Sequence, residues 1–259
     1  MSKHPLKVLS LGAGVQSTVV YLMSCLGEIE RVDCAIFADT GWEPKSVYEH
    51  LAWLEANFKI HIHRVTKGDI RKDSLRATVR DSKRYASIPF FTDNNKSVGQ
   101  IRRQCSKEYK IEPVRRKIRS LIGKISTGCV ELWMGISWDE RKRMSMSRVK
   151  YITHYYPLID LEMTRHDCLK WMSDHGFPEP PRSACLGCPY HSNADWRLIK
   201  QNPDEWTDVV EFDRAIRRRG GDRGDLYLHR SCQPLEEIDF RSLEDLGQES
   251  LFRCEACFN

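Results

Sequence analysis

A parallel α/β fold is the architecture this sequence predicts, on three observations. Residues 7–20 read KVLSLGAGVQSTVV, an apolar run, a turn of small residues, then polar residues opening a second apolar run. That order is strand, tight turn, helix N-terminus. A second short apolar run, Cys34 to Ala38, also ends in polar and small residues, Asp39-Thr40-Gly41-Trp42-Glu43-Pro44, before a helical pattern. A third, Glu131 to Ile136, again runs into polar groups, Ser137 to Arg143. Polar residues gathered at strand C-termini mark a parallel sheet sandwiched by helices, with its site at those ends.

Taken in order, the first turn is the most informative. Gly12 and Gly14 permit backbone angles closed to other residues, and Ala13 keeps the bend free of bulk, so an anion can approach the main chain. The following helix, from Ser17 to about Leu26, offers unpaired N–H groups to a phosphate. Ser10, Ser17 and Thr18 can add hydroxyl donors. Neither a Walker loop nor a complete dinucleotide fingerprint is present. Asp39, at the end of the second strand, lies where a carboxylate can reach a ribose or adenine edge, or else fills a turn. Pro44 suits the first turn of a helix over 45–57, with Val47, Leu51 and Leu54 on one face.

Residues 60–65 predict a third strand, with His61 and His63 on the same side. Residues 69–104 are polar, basic and irregular and read as a long excursion. Cys105, flanked by Arg102, Arg103 and Lys107, stands in a positive potential that favours thiolate. Beyond it Pro113 leads into a basic helix ending near Leu121. Residues 155–161 read as extended, Thr164 caps a helix to about His175, and a proline-rich break delivers Arg182-Ser183-Ala184-Cys185-Leu186-Gly187-Cys188-Pro189. Helices are then expected near 194–200, 205–219 and 242–245. The expected organisation is one domain over 1–192 and a helical C-terminal region with a cysteine tail over 193–259.

At 259 residues the chain can bury a sizeable core. Its longest apolar runs fall well short of the roughly 20 residues of a membrane span, and no signal-peptide pattern opens it, so a cytoplasmic protein without a membrane partner is expected. Ten cysteines in such a setting argue for metal binding or catalysis rather than disulfides. The net charge of +5 allows a nucleic-acid partner without demanding one. The basic runs 102–119, 141–143 and 217–219 serve as solvated faces or anion sites. Cys185-x2-Cys188 has the spacing of a metal chelate, and Cys254-x2-Cys257 repeats it. Cys25, Cys34, Cys129 and Cys168 read as core thiols.

Six segments in one order resemble the adenine nucleotide alpha-hydrolase (PP-loop) superfamily and, within it, the phosphoadenylylsulfate (PAPS) reductase-like family. Gly12 to Ser17 is similar to its pyrophosphate loop, Asp39-Thr40-Gly41 to its D-T-G, and Cys105 to Pro113 to its R-C-x-x-x-K-x-x-P segment. Gly135 to Arg143 resembles its G-x-R-x-x-E-S-x-x-R block, Pro157 to Asp160 its P-L-x-D/E, and Arg182 to Pro189 its R-x-G-C-x-x-C-P element. Three departures stand out: Gln16 replaces an acidic residue, Ile136 an arginine, and the C-terminus lacks the reductase's E-C-G-[LI]-H tail.

The resemblance implies a nucleotide, ATP or PAPS, on Ser10, Gly12, Ala13, Gly14, Val15, Gln16, Ser17, Asp39, Thr40, Gly41 and Gly135, with Mg²⁺ allowed. It implies cleavage between the α and β phosphates of ATP, with Arg102, Arg103, Lys107, Arg141 and Arg143 neutralising the leaving pyrophosphate. Sulfur would then pass to a nucleic-acid or small-molecule acceptor, with a cysteine desulfurase or thioredoxin as protein partner. Seventy-nine residues separate Cys105 from Cys185, about the gap in iron-sulfur APS reductases. That resemblance implies a 4Fe-4S cluster on Cys105, Cys185, Cys188 and either Cys254 or Cys257. Zn²⁺ on the two C-x2-C pairs, or redox thiols without metal, are the alternatives. Two other functions stay open: a thiol-dependent (P)APS reductase releasing sulfite, and a nucleotide-binding module with structural zinc.

Overall fold

The computed structural model describes residues 4–76, 87–94, 97–123 and 126–241. In chain order it contains β1 (Leu6–Leu11), α1 (Val15–Leu26), β2 (Cys34–Asp39), α2 (Lys45–Asn57), β3 (Ile62–Thr66), α3 (Ile70–Arg76), β4 (Phe91–Asp93) and β5 (Val98–Gln100). A π-helical turn (Ser106–Ile111) then runs into α4 (Glu112–Leu121), followed by β6 (Val130–Met134), a 3-10 segment (Trp138–Arg143), β7 (Ile152–Tyr155), α5 (Pro157–Asp160) and α6 (Arg165–Asp174). The chain continues through α7 (Asn193–Lys200), α8 (Pro203–Ile216) and β8 (Asp225–Tyr227). The described residues form two compact units, one drawn from 1–70 and 104–185, the other from 71–103 and 186–259.

In the first unit five strands pair in the order β3-β2-β1-β6-β7, every pair parallel. The chain steps outward from β1 to β3, then returns to lay β6 on the other side of β1. The order therefore reverses between β1 and β6, the place where open α/β sheets leave a crevice at their strand C-termini. Side chains alternate across the sheet as strand geometry requires. Leu9, Leu11, Ala35, Phe37 and Trp133 pack with Val19, Val20 and Leu22 of α1, Leu51 and Leu54 of α2, and Cys168 and Met172 of α6. Val8, Cys34, Ile36, Ala38, Leu132 and Ile152 face Val114 and Ile118 of α4. The result is the α/β sandwich the sequence predicts. Burial pushes the Cys34 and Cys168 thiols up to about 11 and about 12, which keeps both protonated core groups.

The second unit carries a three-stranded antiparallel sheet, β5-β4-β8, with α7 and α8. Buried Asp213 of α8 organises it, accepting from the backbone N–H groups of Leu228 and Leu235 and pairing with Arg217. Ser192 caps α7 through a reciprocal pair with Asp195, and Asn202 caps α8.

Two sequence expectations change. The 69–104 excursion is not irregular throughout, since it holds α3 and the β4/β5 hairpin. Residues 155–161 are not one extended segment: β7 ends at Tyr155, and Pro157, at the first position of α5, starts a helical turn instead. The helix expected near 242–245 lies outside the described residues. Among the described residues no helix is long and apolar enough to cross a membrane.

One buried group makes this core pH-sensitive. His50 of α2 lies 7% exposed, its Nε2 3.0 Å from the Thr18 hydroxyl, and burial lowers its pKa from 6.5 to about 4. A histidine that must stay neutral when folded takes up its proton more readily when unfolded. Its contribution is therefore intact above pH 6.5 and falls away between pH 6.5 and 4, by on the order of 3 kcal/mol in all. Urea titrations across that window should show the midpoint falling, and His50→Gln should flatten the fall. Parallel pH profiles for the two proteins would refute the assignment.

Candidate anion-binding site

The crevice between β1 and β6 is a cavity of about 570 Å³. Ser10, Gly12, Gly14, Val15, Gln16 and Ser17 line it from the β1 turn, and Met134, Gly135 and Ile136 from the end of β6. Glu140, Arg143, Arg165, Pro181, Arg182 and Ser183 complete the wall.

Local geometry explains the turn differently from the sequence expectation. The positive φ belongs to Ala13, at 57°, and neither glycine has one. The glycines serve close approach instead. A Cβ on Gly14 would stand 3.1 Å from Ser183 Cβ, and one on Gly12 would stand 3.4 Å from Ser183 Oγ. Ser183 donates its hydroxyl to the Gly12 carbonyl. Gly135 is the tightest case, because a Cβ there would lie 2.6 Å from the Ser17 nitrogen and 2.7 Å from its Cα. The last residue of that strand end thus supports the first turn of α1 backbone to backbone.

The N-terminus of α1 is left for a ligand. Gly14 caps it without a side chain, and no acidic residue occupies its first turn. The helix dipole and the unpaired N–H groups therefore present partial positive charge at the cavity. Of the three hydroxyls expected to help, Ser10 lines the cavity. The Ser17 hydroxyl braces the loop, accepting from Gly12 N–H at 3.1 Å and donating to the Gly14 carbonyl at 3.2 Å. Thr18 points into the core, 0% exposed and bonded to His50, so that expectation is corrected.

Charge at the rim is organised by Gln16. Its Oε1 accepts from Arg165 Nη1 at 3.1 Å, and its Nε2 donates to Glu140 Oε2 at 3.2 Å. The other carboxylate oxygen of Glu140 accepts from Arg143 Nη1 at 2.6 Å. Asp139 fixes the backbone of Arg165 by accepting its N–H at 2.9 Å, and the Ser137 hydroxyl holds the Asp139 carboxyl below its usual range. Three guanidinium groups and one carboxylate thus face the cavity, a balance of 3 − 1 = +2 among its lining side chains.

The remaining expected residues lie elsewhere. Asp39, Thr40 and Gly41 do not line the cavity. Asp39 Oδ1 accepts from Gly41 N–H at 2.7 Å and from the Tyr48 hydroxyl at 2.9 Å, which braces the turn after β2. Gly41 adopts φ 74° with its Cα against Asp69, where a Cβ would come within 2.9 Å. Arg143 is the one expected charge-neutralising residue that reaches the cavity. Arg141 lies over the Trp138 ring, 5.0 Å from its centroid, and Lys107 is exposed beside Glu112. Cys105 opens the π-helical turn, half-buried. Arg102 and Arg103 belong to the second unit, Arg103 over the Tyr190 ring.

Of the expected metal ligands, Cys185 is in the first unit with Cys105, Cys188 is in the second, and Cys254 and Cys257 lie outside the described residues. Cys185 Sγ lies 3.2 Å from the Thr40 hydroxyl and 3.6 Å from Glu43 Oε1. Glu43 is buried. Its Oε1 also accepts from Thr40 at 2.9 Å and faces Lys110 Nζ at 3.6 Å, whereas its Oε2 has no hydrogen-bond partner. Among the described residues no three His, Cys, Asp or Glu are grouped to hold a metal ion.

Sequence reading missed Arg165, Arg182, Ser183 and Glu140 as cavity residues, and Glu43 as the neighbour of Cys185. Arg182 and Ser183 carried a signal as the lead-in to Cys185-x2-Cys188, Glu140 as part of the Gly135 to Arg143 block, and Glu43 as part of the polar run after the second strand. Arg165 follows a helix cap and looks like any first-turn residue.

No family model and no curated protein matches the chain. Among solved structures, a phosphoadenylyl-sulfate (PAPS) reductase from Candida auris, in a phosphate complex, is similar to it. The two share 16% identity over 69% of this chain and 76% of that one, with a TM-score of 0.46.

The packing at Gly135 generates a direct test. Gly135→Ala must displace backbone, since the clashing atoms belong to the main chain of Gln16 and Ser17. A loss of about 2–4 kcal/mol in denaturant unfolding is expected. Gly123→Ala, where a Cβ meets nothing within 4 Å, should change stability by less than about 0.5 kcal/mol. Equal effects would show that the strand end does not hold the helix.

Proposed function

We propose that this protein is an adenine-nucleotide enzyme of the PAPS reductase-like kind, and that the cavity between β1 and β6 receives the nucleotide's phosphates. One observation carries the reading: Arg143, Arg165 and Arg182 line the same cavity as the side-chain-free N-terminus of α1, at the point where strand order reverses. Guanidinium groups and oriented backbone N–H groups are the two commonest phosphate donors, and charge-assisted bonds of this kind exceed neutral ones about twofold in strength. The adenine preference is supported by the ordered resemblance of the six sequence segments.

The reaction we assign is cleavage of ATP between its α and β phosphates. An acceptor oxygen attacks the α phosphorus, the α–β bridge breaks toward the β side, and pyrophosphate leaves with the charge. Arg143 and Arg165 stabilise that charge as it develops, each already oriented by Glu140 or Gln16. A sulfur nucleophile at the thiolate or sulfide level then attacks the acceptor atom that bears the adenylylated oxygen; a bond to sulfur forms as that atom's bond to oxygen breaks, and AMP leaves with the oxygen. Cys185 supports this second step: a single residue, Ala184, separates it from Ser183 in the cavity wall, so the two lie at most about 7.2 Å apart along the chain.

Purified protein incubated with ATP should release pyrophosphate, whereas PAPS should yield no sulfite. The double variant Arg143→Ala/Arg165→Ala should lower kcat/KM about 100-fold, the loss of roughly 3 kcal/mol from two charge-assisted bonds. Sulfite from PAPS would replace this reaction with the reductase one. Failure to bind any adenine nucleotide would end the reading altogether.

A further inference from the structure

Resting on the phosphate-binding reading, the donor set of the cavity says how the charge is balanced. Nucleotide sites that use a bridging divalent cation supply it with carboxylate oxygens, because Mg²⁺ is a hard ion that takes oxygen ligands in near-octahedral geometry. Among the described residues lining this cavity, Glu140 alone is acidic, and both its oxygens are engaged, one by Arg143 at 2.6 Å and the other by Gln16 at 3.2 Å. Gln16 stands at the helix N-terminus nearest the phosphates, and its amide is pinned at both ends. Turning the amide over would set its oxygen against the carboxylate and its NH₂ against the guanidinium, so the network fixes its orientation.

We propose that the cavity holds its polyanionic ligand on guanidinium and backbone charge alone, with no bridging divalent cation, and that Gln16 sets this preference. The amide occupies Glu140 as a donor while accepting from Arg165, which keeps the one carboxylate out of the cation-binding role and leaves the rim net positive. An aspartate at the same place could accept from Arg165 but could not donate to Glu140. It would repel Glu140, draw Arg165 into an ion pair, and add the free carboxylate oxygens a magnesium ion needs.

The test is calorimetric titration of the full chain with ATP, once in EDTA and once in excess magnesium. Wild type should bind ATP in EDTA within about threefold of its affinity in magnesium, or more tightly. Gln16→Asp should acquire a magnesium requirement, binding about tenfold more tightly with the ion than without it. Glu140→Gln removes a negative charge at the rim and should tighten binding in EDTA by about fivefold. Circular dichroism of each variant confirms that it is folded. Wild-type affinity at least about tenfold weaker in EDTA, or Glu140→Gln weakening binding in magnesium, would overturn the inference while leaving the nucleotide reading standing. No ATP binding under either condition would bring down the nucleotide reading itself.

Discussion

The first unit depends on a backbone contact that only glycine permits. Gly135 follows β6, and its Cα lies so near the main chain of Gln16 and Ser17 that even a methyl group would overlap it. This contact seats the first turn of α1 on the end of a strand that is not its sequence neighbour. Because β6 pairs with β1 in parallel, Ser10 opposite Met134, the two strand ends are level, and both their turns open on the same crevice. The helix N-terminus is therefore held at the mouth of the crevice by the sheet itself. The crossover that puts β6 beside β1, rather than beyond β3, is what creates the opening.

Around that opening the polar groups are arranged for orientation more than for stability. Arg143 is 64% exposed and Glu140 32%, and pairs in that range contribute about 1 kcal/mol or less. The chain Arg165, Gln16, Glu140, Arg143 instead restricts long side chains that would otherwise sample many rotamers, and it does so across three separate segments. An anion entering the cavity meets guanidinium groups already ordered, so less rotamer entropy is lost at binding.

β1, β2 and β6 were legible in the sequence because each is a short apolar run ended by small or polar residues, and the α2 pattern, from Lys45 to Asn57, is unbroken, whereas β7, Ile-Thr-His-Tyr, carries no such run. The turn at residues 12–17 was legible for the same reason. What each of its residues does was not. Helical periodicity places Thr18 on the buried face, which removes it from the ligand, and tertiary approach by Ser183 explains the glycines better than their freedom in φ. Arg165 reaches the cavity only because the first turn of α6 packs beside the first turn of α1, a fact of packing without local signature. Asp39, placed at a strand end that suggests a ligand, uses one carboxylate oxygen within two residues of itself and on Tyr48 in the first turn of α2.

The segment before the Cys185-x2-Cys188 pair links two strand ends. Ser183 is bonded to the β1 turn through Gly12, and Cys185 is within reach of Thr40 and Glu43 after β2. Residues 183–185 therefore run across the C-terminal ends of β1 and β2, with the cavity on one side and a thiol beside a buried carboxylate on the other. Lys110, from the last turn of the π-helical segment, faces that carboxylate at 3.6 Å. The charge of Glu43 is thereby balanced, but its second oxygen is not hydrogen-bonded, and a buried acceptor left so costs about 1–3 kcal/mol. Movement of Ser183 on ligand entry would act on Cys185 through a single intervening residue, so the geometry of the anion cavity and that of the thiol cannot vary independently.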